Sequence, residues 1–207
     1  MFANYPMAFT YFFRDRETLL AIRDLVFPEI KKSRFINIWD AGCAMGPEAY
    51  SLAIIARESL GYYVFKRLKI YATDLDEENH QFGKIIAEAT YPETMLKRIP
   101  RDILGKYFTT TSKPGYFTVK EEIRRAILFQ KHDLRSLIPI RNNFSLILCK
   151  NVLLHLKEEQ REQVVEMFHS ALIPRGFLVF EATQKLPMKA SAQFEKISPQ
   201  FSIYQKR

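Results

Sequence analysis

The chemistry legible in this sequence sits on one glycine turn and a few polar side chains. Gly42 and Gly46 frame the turn Asp40-Ala41-Gly42-Cys43-Ala44-Met45-Gly46-Pro47-Glu48, between an apolar run, Phe35 to Trp39, and an amphipathic stretch that continues to Leu60. Strand, glycine turn and helix in that order let the backbone approach a ligand with no Cβ in the way, and they direct free helix amides at it. The spacing is G-x-x-x-G and not the dinucleotide G-x-G-x-x-G, so a nucleotide-type cradle and a structural turn both fit it. Asp74 ends the next apolar run, Leu68 to Thr73, where an acid in a doubly wound sheet can accept hydrogen bonds from both ribose hydroxyls. Asn151 and His155 follow a third run, Phe144 to Cys149, at the edge where open parallel sheets bind ligands. His155 fits either a place near the substrate or packing under Leu153 and Leu156. Arg14 stands at an elbow between an aromatic segment and a helix, free to serve a site or to pair with a surface acid.

These residues need elements to hold them. Pro47 suits a first helical position and Gly61 a helix end, with Ala49, Leu52, Ala53, Ala56 and Leu60 forming one apolar face between them. Asp15 can cap a helix through Leu19, Leu20, Ile22 and Val26 that ends near Pro28. Asp76 precedes Glu77-Glu78 and a helical pattern through Phe82, Ile85 and Ile86, which makes it a helix N-cap in preference to a ligand contact. After Tyr91-Pro92 the alternation of strand and helix breaks. Leu96 to Leu104 has a helix or turn pattern, and Tyr107-Phe108, Tyr116 to Val119 and Arg125 to Gln130 suggest short strands of an antiparallel excursion. Phe144 to Cys149 suits a central strand buried on both faces. A helix from Glu158 to Leu172 and strands at Phe177 to Phe180 and Phe201 to Tyr204 follow. The expected architecture is α/β, a doubly wound and mostly parallel sheet, in a single domain over residues 1–207 with a small antiparallel subdomain at about 105–130.

With 47% hydrophobic and 26% charged residues, a chain of 207 residues can bury a substantial core. No apolar run nears the ~20 residues of a membrane span, and the N-terminus lacks a signal peptide's charged and apolar regions. Membrane insertion is therefore not expected, and the cytoplasm is the default location. Cys43 and Cys149 lack metal-ligand spacing and suggest buried thiols without a catalytic role. The net charge is +8, from 31 Lys and Arg against 23 Asp and Glu. Its basic pairs, such as Lys31-Lys32, Lys66-Arg67 and Arg124-Arg125, are scattered, with no basic helix or aromatic-basic repeat. Solvated faces with a mild preference for acidic partners account for them, and nucleic acid is not an expected partner.

Four blocks, spanning about Thr10 to Tyr204, resemble the CheR-type chemoreceptor glutamate methyltransferases, which use S-adenosylmethionine. Thr10-Tyr11-Phe12-Phe13-Arg14-Asp15 is similar to the family's T-x-F-F-R-E entry segment. Ile38 to Ala53 resembles I-W-S-A-G-C-S-T-G-E-E-P-Y-S-L-A, Ala72 to Asp76 resembles A-T-D-I-D, and Cys149 to His155 resembles C-R-N-V-L-I-Y. The resemblance implies that Asp74 holds the ribose, that Glu48, Gly46 and the Ala41, Gly42 and Cys43 backbone hold the methionine side of the cofactor, and that Asn151 and Val152 serve its adenine or sulfonium side. Asp133-Leu134 would take the place of the family's Asn-Leu contact. The product would be S-adenosylhomocysteine.

On the acceptor side the resemblance gives Arg14 and His155 the catalytic places. A glutamate carboxylate is already ionised at neutral pH, so it needs alignment and partial removal of water more than a base, and the Arg14 guanidinium could hold it bidentately. The implied substrate is an acidic, helical, chemoreceptor-like signalling protein. His155 stands where the family has a tyrosine, and a histidine would also suit an amine or hydroxyl acceptor. Glu181-Ala182-Thr183 replaces the family's G-H-S-E. The family usually carries a helical domain ahead of the T-x-F-F-R segment, and here nine residues precede Thr10. A catalytic domain without that recognition domain is thus the expectation. A small-molecule methyltransferase and a non-catalytic S-adenosylmethionine-binding module are the alternatives.

Overall fold

The structure, a computed structural model, describes residues 10–76 and 81–207. Phe2, Tyr5 and Phe9 of the aromatic segment, and the Glu77-Glu78 pair, lie outside the described residues. In chain order the strands are β1 (Ile36–Ala41), β2 (Leu68–Asp74), β3 (Thr90–Pro92), β4 (Phe108–Thr110), β5 (Tyr116–Val119), β6 (Ile127–Lys131), β7 (Phe144–Leu148), β8 (Leu172–Val179), β9 (Phe194–Lys196) and β10 (Ile203–Lys206). Seven of them form one sheet in the order β6-β2-β1-β7-β8-β10-β9, and β3-β5-β4 form a second. Strands β6, β2, β1, β7 and β8 are mutually parallel, while β10 runs antiparallel to β8 and β9. The sheet is doubly wound and mostly parallel, as expected. Strand order reverses between β1 and β7, and the crevice beyond their carboxyl ends is where such a sheet receives a ligand.

The helices are α1 (Arg16–Ala21), α2 (Phe27–Ile30), α3 (Pro47–Phe65), α4 (Phe82–Glu88), α5 (Arg101–Tyr107), α6 (Glu121–Arg124) and α7 (Glu158–Ala171). Alternation along β1 divides the core between its two faces. Ile36 and Ile38 pack with α1, α2 and α3, whereas Trp39 and Ala41 pack with Val164, Val165 and Phe168 of α7. Strand β7 is buried at every position, as its apolar run requires.

Several boundaries differ from expectation for identifiable reasons. A π turn, Ile22–Val26, joins α1 to α2, so the chain stays helical through Pro28 to Ile30; the wider turn accommodates a proline that has no N–H to donate. Pro47 is the first residue of α3, but Gly61 (φ 74°, ψ 169°) interrupts the helix without ending it, and the chain resumes helical form through the buried Phe65. Arg125 to Gln130 does not belong to the antiparallel excursion: Ile127–Lys131 is an edge strand of the main sheet, parallel to β2. The small sheet instead takes Thr90–Pro92 as its third strand. The final strand begins at Ile203, after the expected Phe201. Among the described residues no helix is long and apolar enough to cross a membrane.

Candidate active site

The glycine turn closes on the neighbouring strand and not on open space. Gly42 N–H (2.7 Å) and Cys43 N–H (3.0 Å) both donate to the Thr73 carbonyl, which seats the turn on the end of β2. At φ +100° Gly42 occupies the left-handed region, and a Cβ there would stand 2.1 Å from Val152 Cγ2. Gly46, at φ +94°, faces Ile86 Cγ1 at 2.7 Å in the same way. The missing side chains make room for Val152 and Ile86, and Gly42 also lines the cavity above them, whereas Gly46 does not. The closeness still serves the site, because it brings the turn against the end of β7. Thr73 is fixed further by Trp39, whose Nε1–H donates to its Oγ1 at 2.8 Å.

A cavity of about 490 Å³ opens above this junction, at the carboxyl ends of β1, β2 and β7. Asp74 lines it, and its Oδ2 accepts the Ala44 N–H at 2.8 Å. Burial raises the Asp74 pKa, against the pull of the Ala44, Asp76 and Leu75 amides. Asp76 also lines the cavity while its Oδ1 accepts the Phe82 N–H at 2.7 Å. Asp76 is thus not the N-cap expected, a position Gln81 holds because α4 begins only at Phe82; it accepts the first helical amide from a distance and stands at the ligand space as well.

Behind the cavity lies a buried charge network. Lys150 is buried, with its Nζ 2.8 Å from Glu48 and 3.4 Å from Asp15. Burial alone would lower the Lys150 pKa, but Glu48 and Asp15 outweigh it and keep the ammonium charged. Asp15 does not cap α1: it adopts a left-handed conformation with no side-chain capping bond, and its carboxylate is engaged by Lys150. Asp40 is fully buried on the α3 side of β1, and neither of its carboxyl oxygens has a hydrogen-bond partner among the described residues. Burial, then the Glu48 carboxylate, push its pKa well above the usual carboxylate range despite the opposing pull of Lys150. Burial likewise raises the Cys43 and Cys149 thiols, both of them free, which leaves them unreactive.

The opposite walls come from β7 and the entry segment. Asn151 sits in the left-handed region (φ 57°), held by its N–H donating to Glu181 Oε2 at 2.9 Å. His155 is an exposed residue of a short 3₁₀ turn on the cavity wall, not a packed histidine. Arg14 reaches the wall because Phe12 and Phe13 are buried: Phe12 packs edge-on against Tyr91 and Phe108, and Phe13 N–H donates to Ser51 Oγ at 2.8 Å. Asp133 faces the cavity but is clamped by Arg135, with Nη2 2.8 Å from Oδ2, and this pairing lowers its pKa. Leu134 supplies an apolar surface next to it.

Of the site residues expected from sequence, Arg14, Gly42, Cys43, Glu48, Asp74, Asp133, Leu134, Asn151, Val152 and His155 converge on the one cavity. Ala41 and Gly46 do not line it: Ala41 is buried under α7, and Gly46 packs on Ile86. The sequence reading missed Lys150, Asp40 and Glu181. Lysine inside an otherwise matching block and an acid ending an apolar strand were the available signals for the first two.

The donor set fits S-adenosylmethionine. Asp74 presents a carboxylate, with room for about four hydrogen bonds, to a diol, Phe82, Leu134, Val152 and Leu156 give an apolar bay, and the Glu48 carboxylate on the same lining suits a cationic ligand group. The family model described as "CheR methyltransferase, SAM binding domain" matches residues 8–203. An uncharacterized 104.1 kDa protein of Rhodobacter capsulatus is 30% identical over 95% of this chain, which spans 20% of that protein. The chemotaxis protein methyltransferase of Borreliella burgdorferi is 27% identical over 92% of this chain and 68% of its own length. Chemotaxis protein methyltransferase 1 of Pseudomonas aeruginosa is 28% identical, with shares of 86% and 66%. The chain thus spans a fifth of the first of these relatives and about two thirds of the other two. Among solved structures, an rRNA methyltransferase of Streptomyces viridochromogenes, AviRa, superposes with a TM-score of 0.57 at 14% identity over 99% of this chain and 88% of its own, which shows a shared fold.

Proposed function

This chain belongs to the CheR methyltransferase family, and we propose that it forms methyl esters on glutamate side chains of an acidic, helical, chemoreceptor-like signalling protein in the cytoplasm. Bound S-adenosylmethionine supplies a methyl group on a sulfonium, whose positive charge makes the sulfide a good leaving group. The residues of this chain bind and orient. Asp74 takes the ribose, and Glu48, fixed by Lys150, takes the cationic end of the amino-acid moiety. Phe82, Leu134 and Val152 exclude water from one side of the cavity.

The observation that carries the reading is the place of Arg14 on the same cavity wall system as Glu48, Asp74 and Asn151. A guanidinium there matches an acceptor that arrives as an anion, and its fork can align both carboxylate oxygens. Methyl transfer to a carboxylate needs no proton removed, so the site requires no buried general base. The names of the Borreliella and Pseudomonas relatives support a chemotaxis substrate. Incubation with S-adenosylmethionine and the glutamate-rich cytoplasmic fragment of a chemoreceptor, followed by peptide mass spectrometry, tests this reading. Methylated glutamate is the expected product.

His155 favours a second reading, because an exposed imidazole at the cavity wall could take a proton from an amine or hydroxyl. Methylation of nitrogen or of a hydroxyl in the same assay would establish that reading in place of the first.

A further inference from the structure

Two of the basic pairs that look scattered in the sequence, Lys31-Lys32 and Lys66-Arg67, meet at the pole opposite the cavity. Arg67 ties them together: its Nη1 and Nη2 donate to the Ser33 and Lys31 carbonyls at 3.1 Å each, and its own carbonyl accepts the Ile36 N–H at 3.1 Å. The segments Lys31 to Phe35 and Gly61 to Arg67 therefore lie side by side where β1 and β2 begin, with no acidic residue in either. Lys31, Lys32, Arg34 and Lys66 are exposed, and none of them forms a salt bridge among the described residues. Three aromatic side chains stand out among them: Tyr63 at 84% exposure, Phe35 at 63% and Tyr62 at 46%. The break in α3 at Gly61 precedes the tyrosines directly.

We propose that this pole is a docking surface for anionic lipid bilayers. Lysine and arginine heads beside tyrosine and phenylalanine rings are the combination that settles at a headgroup boundary, where each cation gains from the negative surface and each ring enters the interface. Stacking on nucleobases is disfavoured at two of the three rings, where a cation already lies over one face: Lys66 Nζ is 4.3 Å from the Tyr62 ring centre and the Arg34 guanidinium 5.3 Å from that of Phe35. The net charge of +8 adds long-range attraction of the same sign. The carboxyl ends of the strands point the other way, so a docked molecule keeps its cavity open to a protein substrate.

Co-sedimentation of the full chain with phosphatidylcholine vesicles, with and without phosphatidylserine, tests this inference, with cofactor affinity by calorimetry as the control for folding. Binding is expected only to the anionic vesicles and should be lost at high salt. Lys31→Glu with Lys32→Glu should weaken partitioning at least about twentyfold and leave cofactor affinity unchanged. Phe35→Ser with Tyr63→Ser should weaken it while the salt dependence stays the same. Equal binding to neutral vesicles, full binding by the charge-reversed variant, or a preference for single-stranded RNA or polyglutamate over vesicles would each overturn the proposal.

Discussion

Lys150 Nζ lies 2.8 Å from the Glu48 carboxylate, the lysine side chain wholly buried and the glutamate 10% exposed. Through the further contact with Asp15, this one ammonium joins the entry segment that carries Arg14, the start of α3, and the end of β7. The cavity walls that carry Arg14 and Glu48 thus share a single fixed point. Removing it as Lys150→Met leaves buried carboxyl groups uncompensated and should cost about 3 kcal/mol or more of stability. Lys150→Arg, which restores the residue of the family's C-R-N pattern, should recover most of that loss. Urea unfolding of the two variants measures both effects, and equal losses would remove the charge from the explanation.

Asp40 gives a pH signature. Its pKa is raised in the folded protein by burial and by Glu48. The native state therefore holds a proton that the unfolded chain releases above about pH 3.9. Stability from this group is present in full below that pH and is lost as the pH rises toward the folded value. Asp40→Asn removes the linkage, so relative to the parent protein the variant should gain stability between pH 4 and pH 8. Unfolding curves at the two pH values check the sign. A variant that loses ground at pH 8 would mean that Asp40 works as a carboxylate paired to Lys150.

Gly42 should tolerate no side chain while Val152 is present. Gly42→Ala places a Cβ 2.1 Å from Val152 Cγ2 but 3.4 Å from its Cβ. The single variant should lose cofactor binding or fold poorly, and Gly42→Ala with Val152→Ala should recover part of the binding, short of the parent by the strain of a positive φ. Thermal unfolding and cofactor titration of both report the coupling.

The sequence showed the cavity wall more clearly than the charge network behind it. The glycine turn, Asp74 and Asn151 each belong to a local strand-end pattern, so their convergence follows once the sheet is recognised as parallel. Lys150 and Asp15 look like an ordinary lysine and an ordinary helix cap until the fold brings them together. Glu181 is a similar case, since nothing near it in sequence tells that it holds the Asn151 amide. Arg125 to Gln130 has the composition of any short strand, and which sheet it joins depends on pairing with β2 and not on its own residues. The turn around the two glycines was legible, but not that Val152 and Ile86 would pack against them, since both come from distant parts of the chain.

Asp74→Ala should separate binding from folding. It removes a carboxylate whose hydrogen bonds to a ribose diol are of the charged kind, so affinity for S-adenosylmethionine should fall about ten- to a hundredfold. Calorimetric titration measures the change, and an unchanged dissociation constant would remove the ribose assignment.

Arg14→Lys bears on the acceptor alone. The ammonium retains the charge but not the planar fork, so cofactor affinity should hold while turnover drops about tenfold or more. Comparing titration with initial rates separates the two, and a variant that methylates at the parent's rate would free Arg14 from the acceptor.

The most direct test of carboxyl methylation is the alkali lability of the product. Chemoreceptor fragment labelled by this protein from methyl-tritiated S-adenosylmethionine should release its label as volatile methanol on mild alkali, as a methyl ester does. Label that stays on the protein through alkali would contradict the account.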